Sequence, residues 1–354
     1  MRSVIDILDL SVAELAELLA TANDIIDHHE KYENILRGRK LATLFFEPST
    51  RTRMSFEAAM YELGGNVISL AGGNTSSAAK GESVADTIRV VSNYVDIIAM
   101  RHYIEGAALV ASESGTVPII NAGDGGHCHP TQTLADLLTI YREKGHFDNL
   151  TIGLCGDLKY GRTVHSLINA MSRYANVRFI LISPKELRCP AYVLEGKDPS
   201  AFIETASLEE AMPELDILYM TRIQKERFDD EEEYLRLKDS YILNNEKIRN
   251  AKADLKILHP LPRVNEIAVE VDDDERACYF KETLYGKYMR MALILKLLKE
   301  KDNPKKESLM PADAIISDVK CSNPKCICQS EQELKTRTII RNGIRRCVYC
   351  EHEI

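Results

Sequence analysis

Leu41-Ala42-Thr43-Leu44-Phe45-Phe46-Glu47-Pro48-Ser49-Thr50-Arg51-Thr52-Arg53-Met54-Ser55-Phe56 carries an apolar strand through a hydroxyl- and arginine-rich corner into a helix. A helix start presents unpaired backbone N–H groups and the positive end of the helix dipole, which together suit an oxyanion. Ser49, Thr50 and Thr52 add hydroxyls, and Arg51 or Arg53 can make a two-pronged, charge-assisted bond to the same anion. The plainer reading is an ordinary helix cap with solvated arginines. A run of S-T-R-T-R directly after a buried strand favours the anion cradle.

Outward from this corner, short apolar runs alternate with amphipathic stretches. Helices are expected at 12–28, 53–63, 83–94, 131–144 and 163–174, with a last one at 288–301. Strands are expected at 41–46, 66–70, 97–100, 118–121, 151–155, 178–182, 217–220 and 256–258. Strands alternating with helices mean parallel βαβ units. Two such cycles joined by one long helix predict an α/β protein of two doubly wound parallel-sheet domains, 1–134 and 135–287, with a cleft between them. The last helix is expected to pack back on the first domain. No repeat at a solenoid period and no low-complexity tract is present.

A chain of 354 residues accommodates two or three domains, each with its own core. Its net charge of −9 argues against a nucleic-acid or membrane-surface partner. No apolar run approaches the roughly 18–20 residues of a membrane span, and Met1-Arg2-Ser3-Val4-Ile5-Asp6 has no signal-peptide core. A soluble, cytoplasmic protein is expected.

In parallel sheets ligands bind beyond the carboxyl ends of strands. Arg101-His102, the run Gly123-Asp124-Gly125-Gly126-His127-Cys128-His129-Pro130-Thr131-Gln132, the run Gly156-Asp157-Leu158-Lys159-Tyr160-Gly161-Arg162, Arg222 with Gln224, and His259-Pro260-Leu261-Pro262-Arg263 all fall there. Neither G-x-G-x-x-G nor G-x-x-x-x-G-K-[ST] occurs, so dinucleotide and P-loop chemistry are not indicated. His127, Cys128 and His129 make a poor metal set without a carboxylate at ligand spacing, and adjacent Cys128 and His129 make a poor nucleophile pair. The remaining arginines, histidines, amides and hydroxyls suit polyanionic substrates that react through positioning and charge stabilisation.

The ordered motifs S-T-R-T-R, A-K-G-E-S, M-R-H, H-P-T-Q-T-L-A-D, G-D-L-K-Y-G-R-T-V-H-S-L, M-T-R-I-Q-K-E-R and H-P-L-P-R resemble those of the aspartate carbamoyltransferases over almost all of the chain to about residue 300. The resemblance implies transfer of a carbamoyl group from carbamoyl phosphate to L-aspartate, a step of pyrimidine biosynthesis, with no cofactor for catalysis. It implies that Ser49, Thr50, Arg51 and Thr52 hold the phosphate. Arg101 would bridge phosphate and carbonyl oxygen, and His129 would polarise that carbonyl. Gln132 and the backbone of Pro260 and Leu261 would meet the carbamoyl amine, beside a cis Leu261–Pro262 bond. Arg162, Arg222 and Gln224 would grip the aspartate carboxylates. Ser76 and Lys80 would serve a neighbouring subunit's site, which implies a homotrimer. The ornithine-using relatives carry Cys where Pro260 stands, and two arginines with a glutamine fit a dicarboxylic acid better than a cationic amine.

Five of the nine cysteines crowd near the C-terminus. Cys321 and Cys326, then Cys347 and Cys350 after 20 residues, form two thiol pairs at the spacing of a four-cysteine zinc site. Cys328 is a further thiol that could replace Cys326. C-S-N-P-K-C and R-C-V-Y-C-E resemble the zinc domain of the family's regulatory chain. The resemblance predicts a small β-rich zinc-binding domain at 314–354 behind a charged linker at 302–313. About a dozen linker residues cannot form an effector domain, so a structural role and no ATP or CTP response are expected. The rival expectation is a catalytically dead transferase fold that recruits a partner through its zinc tail.

Overall fold

The computed structural model describes residues 1–72, 81–223, 231–237, 239, 241–301, 307–331 and 333–354. They form two compact units, one built from Met1–Thr131 with Gly286–Ile354 and the other from Gln132–Tyr285.

In the first unit β1 (Lys40–Phe45), β2 (Asn66–Ala71), β3 (Ile97–His102) and β4 (Ile119–Asp124) form a parallel sheet in the order β2-β1-β3-β4. Every residue of β1 beyond Lys40 and every residue of β4 is buried. That explains why these strands read as unbroken apolar runs: a parallel sheet covered by helices on both faces needs no polar side. The helices are α1 (Val12–Asp27), α2 (Thr50–Glu62), α3 (Val84–Val91), α4 (Ala107–Ser114) and the start of α5 (Pro130–Lys144).

The second unit holds a five-stranded parallel sheet of β5 (Thr151–Cys155), β6 (Arg178–Ile182), β7 (Phe202–Thr205), β8 (Ile217–Met220) and β9 (Lys256–Leu258), ordered β7-β6-β5-β8-β9. Its helices are α6 (Arg162–Met171), α7 (Ala191–Leu194), α8 (Leu208–Ala211) and α9 (Glu231–Leu237). β7 is an edge strand with no fully buried residue, so it left no apolar run to find.

The helices depart from the sequence reading at several points, and the short α7, α8, α9 and α11 (Ile327–Ser330) were not expected. The last long helix, α10, runs Tyr279–Lys301, nine residues earlier than the expected start at 288. Cys278 just before it and Tyr279 at its first position are both fully buried, while Gly286 in its interior weakens the helical signal. The sequence reading also missed α4, an alanine-rich helix buried almost all round, with no polar face to set a period.

The C-terminal segment folds on the first unit. After α11 (Ile327–Ser330), β11 (Arg337–Arg341) and β12 (Ile344–Cys347) pair antiparallel, with β10 (Ile315–Ile316) on the outer side of β11. Asn342 and Gly343 join β11 to β12 with φ of 52° and 79°, the two left-handed positions that a two-residue hairpin demands. Glu105 docks the segment: its N–H donates to the Lys325 carbonyl and its carbonyl accepts from Ile327 N, each at 2.9 Å. Gly106, at φ 84°, lies where a Cβ would come within 2.6 Å of the Tyr349 Cβ. The small residues Ala107, Ala108 and Ala111 share one core with Ile327, Tyr349 and the cysteines, so the alanine-rich face of α4 is what lets the segment approach closely.

Candidate active site

Parallel sheets bind ligands where neighbouring strands connect in opposite directions. In the first sheet that point lies between β1 and β3, where Phe45 sits in register with Arg101. Ser49 to Thr52 follow β1, and Arg101 is the penultimate residue of β3.

The start of α2 differs from other serine-led helices of the chain. Ser11, Ser83 and Ser207 each accept a bond from a first-turn N–H of α1, α3 and α8, and each of those first turns carries an acidic residue. Ser49 occupies the same position before α2 but makes no side-chain cap bond, and no acidic residue lies in the first turn. An ordinary cap would satisfy these N–H groups from within. This one does not, and it stands beside exposed Thr50 and Arg51 and buried Thr52. The helix is fixed from behind by Arg290, which bonds Ser55 Oγ at 3.1 Å and lies 5.2 Å over the Phe56 ring. Arg101 is held by Glu47 Oε2 at 3.2 Å.

The loop carrying His129 is built around buried Asp124. Its carboxylate accepts from Gly106 N, Asn121 Nδ2, Cys128 N and His127 Nδ1 at 2.9–3.2 Å. Burial opposes the charge, but these donors overcome it and hold the carboxyl below its usual range. The Cys128 thiol donates to Asp6 Oδ2 at 2.8 Å, and burial with that neighbouring carboxylate pushes its ionisation far up. A thiol held this way is inert, which rules against the Cys128–His129 nucleophile pair.

In the second unit the corresponding reversal lies between β5 and β8. Arg162 follows β5 at the start of α6, and Arg222 follows β8. Thr221 ties the two loops together: its N–H and hydroxyl both donate to the Cys155 carbonyl, and its Oγ1 accepts from Asp157 N at 3.0 Å. Gly156, at φ 116°, has no room for a side chain, since a Cβ would lie 2.5 Å from the Thr221 carbonyl.

The turn after β9 has its own scaffold. Leu261 sits at φ 53° and its bond to Pro262 is cis, as expected. Leu261 N donates to His259 Nδ1 at 2.7 Å, which leaves His259 Nε2 as the protonated nitrogen facing Glu266 at 2.8 Å. Gln132 donates its amide to Asp136 Oδ1 at 2.8 Å and to Glu282 Oε1 at 2.5 Å. Both its N–H groups are then spent, and Oε1 is the acceptor left for an incoming donor. Sequence reading missed Asp124, Thr221, Asp136 and Glu282, because nothing local marks a buried polar residue as a scaffold. Ser76, Lys80 and Gln224 lie outside the described residues.

The C-terminal cysteines converge. Cys321, Cys326, Cys328 and Cys347 have sulfurs all within 4.8 Å of one another. Cys350 Sγ lies 3.6 Å from Cys321, and Cys326 lies 3.7 Å from Cys347. A tetrahedral zinc with sulfurs at about 2.3 Å requires sulfur–sulfur edges of about 3.8 Å, and the Cys321–Cys350 and Cys326–Cys347 distances lie close to that. Cys326 and Cys328, at 3.3 Å, are closer than that edge.

Residues 2–142 match the carbamoyl-phosphate-binding domain of the aspartate/ornithine carbamoyltransferases, and residues 148–297 match their aspartate/ornithine-binding domain. The chain is 61% identical over 299 residues to the aspartate carbamoyltransferase catalytic subunit of Clostridium novyi, covering 84% of this chain and 98% of that protein. The catalytic subunit of M. jannaschii aspartate transcarbamoylase superposes with a TM-score of 0.80 at 48% identity, covering 86% of this chain and all of that one. Aspartate transcarbamoylase from Trypanosoma cruzi, solved with carbamoyl phosphate and aspartate, superposes at 0.79 with 39% identity over 84% of this chain and 96% of its own. The cysteine segment lies beyond both matched domains.

Proposed function

The chain belongs to the aspartate carbamoyltransferase catalytic-subunit family and catalyses that family's reaction, and we propose that it does so with the residues at the two switch points. The observation that carries this reading is the α2 start, a helix N-terminus with neither side-chain cap nor acidic first turn, set beside Arg101. Ser49, Thr50, Arg51 and Thr52 take the phosphate of carbamoyl phosphate there, and Arg101 bridges to the carbonyl oxygen. His129 polarises that carbonyl. Gln132 Oε1 and the carbonyls of Pro260 and Leu261 accept from the carbamoyl NH2, while Arg162, Arg222 and Gln224 hold the two carboxylates of aspartate.

Deprotonated aspartate amine attacks the carbamoyl carbon, forming the new C–N bond as the C–O bond to phosphate breaks. Negative charge grows on the carbonyl oxygen and then on the departing phosphate. Arg51, Arg101 and His129 meet that charge as it develops, which lowers the barrier more than it tightens ground-state binding. Lys80 and Ser76 act from a neighbouring chain in a homotrimer, on the family resemblance. A colorimetric assay for N-carbamoyl-aspartate, run with aspartate and ornithine in parallel, tests the assignment. Product from aspartate alone is expected; absence of product from both would favour the rival reading of a dead scaffold with a recruiting tail.

For the C-terminal module we infer a structural zinc on Cys321, Cys326, Cys347 and Cys350. The ion would crosslink the hairpin to the segment before α11, and thereby steady the strand-like pairing with Glu105. Elemental analysis should return one zinc per chain, and titration calorimetry should show no tight CTP binding. No helix among the described residues is long and apolar enough to cross a membrane, and we infer a cytoplasmic enzyme.

A further inference from the structure

Two buried carboxyl groups meet beneath the carbamoyl-amine position. Asp136, on α5, is fully buried, and Glu282, on α10, is 1% exposed. Both accept from the single Gln132 amide nitrogen, at 2.8 and 2.5 Å, which brings Asp136 Oδ1 and Glu282 Oε1 side by side. The second Glu282 oxygen accepts from His259 N at 3.1 Å. Glu282 therefore touches both supports of the proposed amine pocket: the Gln132 side chain and the turn that begins at His259.

Two buried carboxylates gathered on one amide nitrogen cannot both stay charged, so such a pair retains one proton between its members. From β8, Tyr219 brings its hydroxyl toward the pair, and the His259 ring is turned away to Glu266. Burial first, then the Asp136 charge, push the Glu282 carboxyl well above its ordinary range.

We propose that Glu282 is a positioning residue: sharing one proton with Asp136, it fixes the Gln132 amide so that Oε1 faces the carbamoyl NH2, and it anchors the 259–261 turn in the same act. This rests on the reading of Gln132 as a carbamoyl-phosphate ligand. As pH rises and the pair loses its proton, mutual repulsion should release Gln132 and weaken carbamoyl-phosphate binding.

The test compares the full chain with its Q132A, E282A and E282Q variants in steady-state kinetics across pH, with infrared spectra at neutral pH. The unsubstituted enzyme should show the carbonyl band of a buried protonated carboxyl group, and E282Q should lack it. E282A should raise KM for carbamoyl phosphate about tenfold, the effect of losing one strong charge-assisted bond, with KM for aspartate little changed. E282Q, a neutral isostere, should restore most of that loss and remove the high-pH rise in KM. An infrared spectrum of the unsubstituted enzyme without the protonated band overturns the proposal, and so does a pH profile for E282Q that superimposes on the parent's. If E282A fails to fold, E282Q and the infrared band still decide. Q132A separates the two readings: an unchanged KM for carbamoyl phosphate removes Gln132 from the site, whereas a raised KM in Q132A with none in E282A overturns the role of Glu282 alone.

Discussion

α2 and α6 begin alike. Each follows the central strand at its sheet's reversal point, and neither N-cap residue, Ser49 or Gly161, makes a side-chain cap bond. Their first turns differ. α2 opens with Thr50-Arg51-Thr52, hydroxyls around one guanidinium, whereas α6 opens with Arg162 and relies on Arg222 from the next loop. A phosphate has three oxygens converging on one centre, and a cluster of short donors on a helix start matches it. The two carboxylates of aspartate are separated along a chain, and each is better met by a guanidinium fork on its own stem. On the proposed assignment, one backbone device would serve two anions of different shape through the residues loaded on it.

Arg51→Ala tests the first half most severely. Turnover should fall by about a thousandfold or more, since this guanidinium meets charge that develops only in the transition state; near-normal turnover would sink the assignment. Arg162→Ala should act on the other half, raising KM for aspartate by about a hundredfold while leaving carbamoyl-phosphate binding intact. If both variants changed the same parameter, the division of labour between α2 and α6 would fail.

Gly156→Ala probes the scaffold beneath α6 rather than its charges. A side chain there must displace the Thr221 carbonyl and adopt a left-handed φ, so a loss of about 2–4 kcal/mol is expected in chemical denaturation. A smaller shift is expected from proton linkage at Glu282. Its folded-state pKa is raised, so its contribution to stability is complete below the unfolded carboxylate value near 4.3 and is lost as pH rises through the folded value. Stability of the parent relative to E282Q should therefore decline by up to about 1.4 kcal/mol per pH unit above about pH 4.3. A pH-independent difference in melting temperature would contradict the shared proton. The smallest change should come from Cys328→Ser, which should keep one zinc per chain, while Cys321→Ser should not.

Much of the catalytic body was legible in the chain. Unbroken apolar runs marked β1, β3, β5 and β8, because a sheet covered on both faces imposes no alternation. S-T-R-T-R and G-D-L-K-Y-G-R marked the corners, because anion binding needs scarce residue types next to a helix start. Other features were illegible for equally physical reasons. Glu282 stands in Y-F-K-E-T-L-Y, which reads as a solvated helix face; its partner Gln132 is 150 positions away. α4 is alanine-rich because Ile327 and Tyr349 press against it, and no local pattern announces a distant partner. The zinc spacing was plain, but that Glu105 receives the module through backbone bonds was not.

By itself, the order of residues determined what is local: strand and helix periods, the turn glycines, the arginine-bearing corners and the two cysteine pairs. These follow from backbone geometry and side-chain chemistry within a few positions. Only the tertiary structure decided which serine would leave its helix start uncapped, which carboxyls would be buried side by side, and where the C-terminal hairpin would lie. Those depend on burial and like-charge proximity, which arise when segments far apart in the chain are brought into contact.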